Sequence, residues 1–325
     1  MANVFRALRR RILTPNVSAT RLDVRGFPEK NPASRELLET IGRTFLAGYA
    51  YAAEAGSTAE AEEHLEAVPT RFRGFAYEGA AMGFAVRDGL PFGSSGHTER
   101  FLAGRARDHI YMAYVGIGWA MARLPKFRWP DAGSLDPMLR WLVLDGYGFH
   151  QAYFHTQNYV HEQYQDPKFR WPADDERWYA NHAIDQGIGR AMWFVAGTDA
   201  QLVSSMIDTF PEERRFDLYS GAGLAATYAG GASEDELRLL WEHAGPYRSK
   251  LAQGSAFAAE ARVRAGLMVP HTGVATQIFC GLTPERAAQL SADASPGPAG
   301  KEDDMPAYEV WRQRLANEFV SLGRC

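Results

Sequence analysis

Glu78, Val115, Asp145, Gln186, Ser220 and Gln253 each stand directly before a glycine step inside an apolar segment. Five of these six are polar, which is unusual beside a glycine that packs closely. Residues at one register of equivalent helices fall on one side of the assembly. They would therefore form a polar ring around a shared cavity, or else be helix-start positions that face water. Arg190 lies one turn after Gln186 and shares its face. A buried arginine needs a carboxylate partner, which Asp145 or Asp185 could supply.

Histidines gather in the middle of the chain: His97, His109, His150, His155, His161 and His182. His109 and His182 with Asp185 would make a facial two-histidine, one-carboxylate metal site. A dinuclear carboxylate site is not indicated, because no Glu-x-x-His pair occurs in this region. Aromatic residues are dense here too, among them Trp119, Tyr147, Phe149, Trp193 and Phe194. Those that line a cavity would suit a flat, apolar or polyunsaturated ligand, oriented by the polar ring. Tyr147, Gln186, Trp193, Gln253 and Trp119 are thus the expected ligand-binding residues. Asp174-Asp175-Glu176 resembles a diphosphate-metal motif but lacks the later aspartate, and no nucleophile elbow is present.

The elements that must position these groups form a repeat. Residues 125–130 and 167–172 both read PKFRWP, and each copy is followed, 21 and 20 residues after its first proline, by the glycine pairs Gly146/Gly148 and Gly187/Gly189. Weaker steps begin at Gly79, Gly116, Gly221 and Gly254, at intervals of 30 to 41 residues. Helix-hairpin repeats have periods of about 34 residues. Glycine inside a helix costs about 1 kcal/mol relative to alanine, so its recurrence argues for close helix–helix approach. A phosphate loop would need a preceding strand, and these segments read as helix. The expected fold is all-α: about six helix hairpins of roughly 35 residues in an α-solenoid or α/α-toroid-like domain.

That domain should span residues 1–290, with 1–45 as an N-terminal cap segment. Residues 291–304 read as a loop or disordered hinge, and 305–325 as a C-terminal helix that docks back. Ser233 followed by Glu234, Asp235 and Glu236 marks a capped helix start.

Composition narrows the function classes. The 325 residues are 46% hydrophobic and 23% charged, with a net charge of −4, so a nucleic-acid partner is not expected. Two cysteines suit a reducing cytoplasm rather than a disulfide framework. No secretory signal or membrane span is expected. Arg9–Arg11 suit a solvated first helix, or contact with a membrane surface or a partner protein.

Taken in order, RRRILTPNVSATRLDVRGF, FAYEGAAMGFAVRDG, VGIGWAMARLP, DGYGFHQAYF, DQGIGRAMWFVAG, SGAGLAATYAGG and LAQGSAFAAEARVRAG resemble a bacterial domain-of-unknown-function family found in enediyne polyketide gene clusters. The resemblance runs from about Arg9 to Leu290. It implies a role in maturing or handling an unsaturated polyketide, with a polyketide-derived small molecule as ligand and a polyketide synthase or tailoring proteins as partners. It names no reaction and no cofactor. Glu78, Asp145, Asp185, Arg190 and His150 fall within its motifs and are the expected catalytic residues. Two other functions stay open: a helical scaffold for a biosynthetic complex, and a metal-dependent oxidoreductase.

Overall fold

The computed structural model describes residues 2–91, 96–297, 300 and 304–324. Sixteen α-helices and no β-strand occur among the described residues. In the first half these are α1 (Ala2–Leu13), α2 (Leu22–Arg25), α3 (Pro32–Glu54), α4 (Thr58–Glu66), α5 (Thr70–Asp88), α6 (His97–Ala103), α7 (Ile110–Arg123) and α8 (Trp141–Phe154). The second half holds α9 (Ala180–Val195), α10 (Ala200–Asp208), α11 (Glu212–Ala229), α12 (Glu234–Ala244), α13 (Arg248–Arg264), α14 (Pro270–Phe279), α15 (Pro284–Ala294) and α16 (Ala307–Ser321).

Local chemistry sets where these helices begin. Asn31 caps α3 by accepting from Ser34 N, with Pro32 next in line where its missing N–H costs nothing. Ser233 and Glu236 close a reciprocal capping box on α12, as the run of acidic residues predicts.

The glycine-bearing helices pack in chain order: α3 on α5, then α7, α8, α9, α11 and α13, with α15 at the end. The shorter α10, α12 and α14 pack on one another as a second layer. A single device spaces the inner row. A Cβ on Gly116 would overlap the carbonyl oxygen of Glu78, and one on Gly146 that of Val115. In the same way Gly187 meets Asp145, Gly221 meets Gln186 and Gly254 meets Ser220. Each carbonyl belongs to the residue just before the preceding helix's glycine step. The second glycines reach the other way, Gly118 to Val143, Gly148 to Ile184, Gly189 to Leu218 and Gly223 to Leu251. Each glycine Cα hydrogen therefore points at a neighbour's carbonyl, a contact worth about 0.5–1 kcal/mol. Gly48 and Gly79 form the same reciprocal pair between α3 and α5, against Ala76 and Phe45.

The row curls until distant members meet. The hydroxyl of Tyr228 on α11 fills the space at Gly74 of α5, and Tyr111 of α7 donates to Glu260 of α13 at 2.5 Å. The arrangement is compatible with a helix-pair repeat. The two PKFRWP copies lie against each other: Trp129 stacks on Phe169 at 5.5 Å, and Trp171 Nε1 donates to the carbonyl of Pro130 at 2.8 Å.

Two sequence boundaries differ from the structure. Residue 45 lies inside α3, and residues 291–294 continue α15, whose cap at Thr283 starts it well before the polar stretch. Of the rest of that stretch, residues 298–299 and 301–303 lie outside the described residues. α16 packs on α13 and α15.

Candidate functional site

An aromatic-lined cavity of about 560 Å³ opens between α3, α5, α7, α8 and α9, under the segment that follows α1. Each helix contributes residues at helical spacing: Ile41, Phe45 and Leu46 from α3; Phe75, Glu78 and Met82 from α5; Trp119, Ala122 and Arg123 from α7. Phe149, His150, Tyr153 and Phe154 come from α8, and Arg190 and Phe194 from α9. Pro15, Ala19 and Thr20 close one side. The aromatic rings pack as a continuous wall, with Trp119 4.5 Å from Phe45 and 5.1 Å from Phe149, and Phe149 5.2 Å from Phe194.

Glu78 is the sole carboxylate in this lining and is only 3% exposed. Its Oε1 lies 4.0 Å from Arg190 Nη2. Burial pushes the carboxyl up to about 7; the Arg190 guanidinium pulls it down, Asp145 pushes it up, and the nearby Trp119 indole lowers it slightly. Trp119, 9% exposed, turns its indole N–H towards the Glu78 carboxyl without forming a hydrogen bond of good geometry. A buried donor so poorly satisfied costs free energy, and a ligand oxygen could satisfy it. Burial pushes His150 down to about 3, so its imidazole is neutral at physiological pH. Arg123 and His155, both exposed, stand at the cavity edge.

Arg190 separates this cavity from a second, about 40 Å³, lined by Asp145, Tyr228, Glu260, Tyr308 and Trp311 among others. Its Nη1 donates to Asp145 Oδ1, and its guanidinium lies over the Phe149 ring at 5.2 Å. Gln186 Nε2 donates to Asp145 Oδ2 at 2.6 Å and to the Tyr308 hydroxyl at 2.9 Å. The residues before the glycine steps thus converge in part: Arg190 joins Glu78 to Asp145, and Asp145 joins Gln186. Ser220 and Gln253 form a separate pair, with Ser220 Oγ donating to Gln253 Oε1 at 2.7 Å.

Other expected site residues are used elsewhere. Asp185 does not partner Arg190; it receives Arg214 through two bonds, Nε to Oδ2 at 2.8 Å and Nη2 to Oδ1 at 2.6 Å. Trp193 donates to the carbonyl of Gly230 at 2.9 Å, and Tyr147 accepts from Gln151 at 3.0 Å. The facial metal trio is not assembled. His109 stacks on Tyr77 at 3.8 Å, whereas His182 Nδ1 meets Asp217 Oδ2 at 2.8 Å. No group of three or more potential metal ligands occurs among the described residues. Asp174 and Glu176 of the acidic run are held by Arg140 at 2.8 and 2.7 Å.

Sequence reasoning missed Arg123, Phe45, Phe75 and Tyr308, and named His155 only among the clustered histidines. Trp119 and Arg123 are four apart and share a helical face, a signal that was legible. Tyr308, 122 residues from Gln186, gave none.

The sequence model of the family described as "Protein of unknown function (DUF1702)" matches residues 4–319. No curated protein and no solved structure matches the chain. No helix among the described residues is long and apolar enough to cross a membrane. The chain belongs to the DUF1702 family.

Proposed function

We propose that this DUF1702 protein binds an elongated, apolar, unsaturated carbonyl compound in its aromatic cavity and shifts a proton along it, with Glu78 as acid and base. The carrying observation is the Glu78 carboxyl, held near pKa 7 by burial in the cavity wall, beside an indole donor that makes no well-formed hydrogen bond. A group that titrates near ambient pH is present in both forms, which general acid–base catalysis requires.

In this reading the Glu78 carboxylate takes a proton from the saturated carbon that flanks the double bonds conjugated to the ligand carbonyl. The electron pair moves into the π-system as a dienolate. Its oxyanion accepts from the Trp119 N–H, and Arg190 supplies positive charge 4.0 Å from the carboxylate. The Glu78 carboxyl then returns the proton to a carbon nearer the carbonyl, so double bonds migrate and nothing is oxidised or reduced. The apolar wall excludes water, which strengthens both interactions. Such a step fits the maturation of an unsaturated polyketide, the class implied by the resemblance to the family found in enediyne polyketide gene clusters. The aromatic-lined cavity favours ligand binding over a scaffold built on an open surface.

The test uses a conjugated tetraenoic methyl ester in heavy water. Quenching of tryptophan fluorescence reports binding, and mass spectrometry reports deuterium uptake. Wild type should bind and exchange; Glu78→Gln should bind and not exchange. Exchange at the wild-type rate in Glu78→Gln would remove Glu78 from the chemistry, and failure of wild type to bind would remove the ligand class.

A further inference from the structure

Helix α1 is turned inside out relative to an ordinary surface helix. Val4, Phe5, Leu8 and Ile12 are 72%, 70%, 50% and 69% exposed. At 3.6 residues per turn they fall within an arc of about 100°. The opposite face is arginine, and it holds the helix to the body. Arg6 pairs with Glu60 at 3.2 Å and Arg10 with Glu54 at 2.6 Å. Arg9 donates to the carbonyls of Glu54 and Ala55 at 3.0 and 2.9 Å. α1 packs on α3, one wall of the aromatic-lined cavity, and Pro15, just beyond its end, lines that cavity.

We infer that this apolar face lies in the surface of an anionic lipid bilayer, with the cavity opening beside it. A contiguous row of large exposed apolar side chains marks an interaction surface, and a helix of this pattern sits in the interfacial plane. Charge selects the lipid. The first 25 residues hold six arginines and one acidic residue, in a chain whose net charge is −4. On α1 itself Arg9 and the exposed Arg11 have no ion-pair partner among the described residues, so positive charge remains on the helix that carries the stripe. An apolar ligand partitions into the bilayer, and a mouth at that surface takes it without passage through water. Delivery rests on the ligand class proposed above; membrane binding stands on the stripe and its charge.

The test is flotation of the full chain with vesicles of phosphatidylglycerol and phosphatidylcholine, beside pure phosphatidylcholine vesicles. Wild type should float with the anionic vesicles, less so as salt rises. Phe5→Glu with Ile12→Glu should weaken binding roughly tenfold or more, while tetraenoic ester binding in detergent-free buffer and the circular dichroism spectrum stay unchanged. Glu78→Gln should float like wild type whatever becomes of the exchange reaction. Wild type that stays unbound, or a double variant that floats as well as wild type, overturns the inference. So does a dimer in solution that the double substitution abolishes without any vesicle binding.

Discussion

Glu78 Oε1 stands 4.0 Å from Arg190 Nη2, close enough for attraction and too far for a hydrogen bond. Arg190 spends its Nη1 bond on Asp145, so the cavity carboxyl receives charge without being locked in its ionised form. Burial sets most of the rise in the Glu78 pKa, and Asp145 adds to it.

Asp145→Asn should lower the Glu78 pKa from about 7, because Asp145 pushes that carboxyl up and competes for Arg190. Carbon-13 NMR of glutamate-labelled protein should show a carboxyl titrating at lower pH than in wild type. The rise of deuterium exchange with pH should move with it. An unchanged midpoint would mean that burial alone sets the value.

The same shift makes stability depend on pH. A carboxyl raised from 4.5 to about 7 favours the folded state when protonated. Its contribution is fully present below about pH 4.5 and is lost as the pH rises through about 7. Glu78→Gln keeps the neutral form at every pH, so its stability relative to wild type should climb by about 3 kcal/mol over that range. Urea unfolding of both proteins at acidic and mildly alkaline pH measures the difference. A constant difference would show that Glu78 is not shifted.

Gly187→Ala places a methyl group in the carbonyl oxygen of Asp145 and should cost about 3 kcal/mol. Gly273, also helical, has only Pro284 Cγ at 3.9 Å near its Cβ position. Gly273→Ala should instead stabilise by up to about 1 kcal/mol. The opposite signs, read from thermal or urea unfolding, separate helix propensity from helix contact.

Arg312 ties α16 to the body while 2% exposed, donating to Tyr179 at 2.6 Å and Glu309 at 2.9 Å and pairing with Asp217 at 2.7 Å. Arg312→Met leaves Asp217 buried with His182 alone and should cost about 3–5 kcal/mol. Asp217→Asn in the same chain should recover part of that loss. If it does not, packing rather than charge carries the cost.

Much of the fold was legible because glycine inside an apolar helix has so few reasons to recur. The residue before each step was singled out for its side chain, yet the structure uses its carbonyl first. That explains Val115, the apolar exception: its backbone oxygen meets Gly146 as the polar members' oxygens meet their own glycines. The sequence offers both Asp145 and Asp185 as partners for Arg190, but Asp185 lies five residues before Arg190 on α9, about 140° round the helix, so it turns to Arg214 instead. Tyr308 and Arg312 reach the centre from a terminal helix, across a separation no periodicity encodes.

A frame joined main chain to main chain is indifferent to what hangs from it. The spacing between α7, α8 and α9 is held by glycines and carbonyl oxygens, none of which needs a particular side chain in the cavity wall. Phe45, Phe75 or Phe194 could be exchanged for smaller or differently shaped residues, and the ribs would keep their distance. Cavity shape and architectural stability are thus separable properties in this protein, and the same scaffold can be retuned to ligands of other lengths by changing its lining alone.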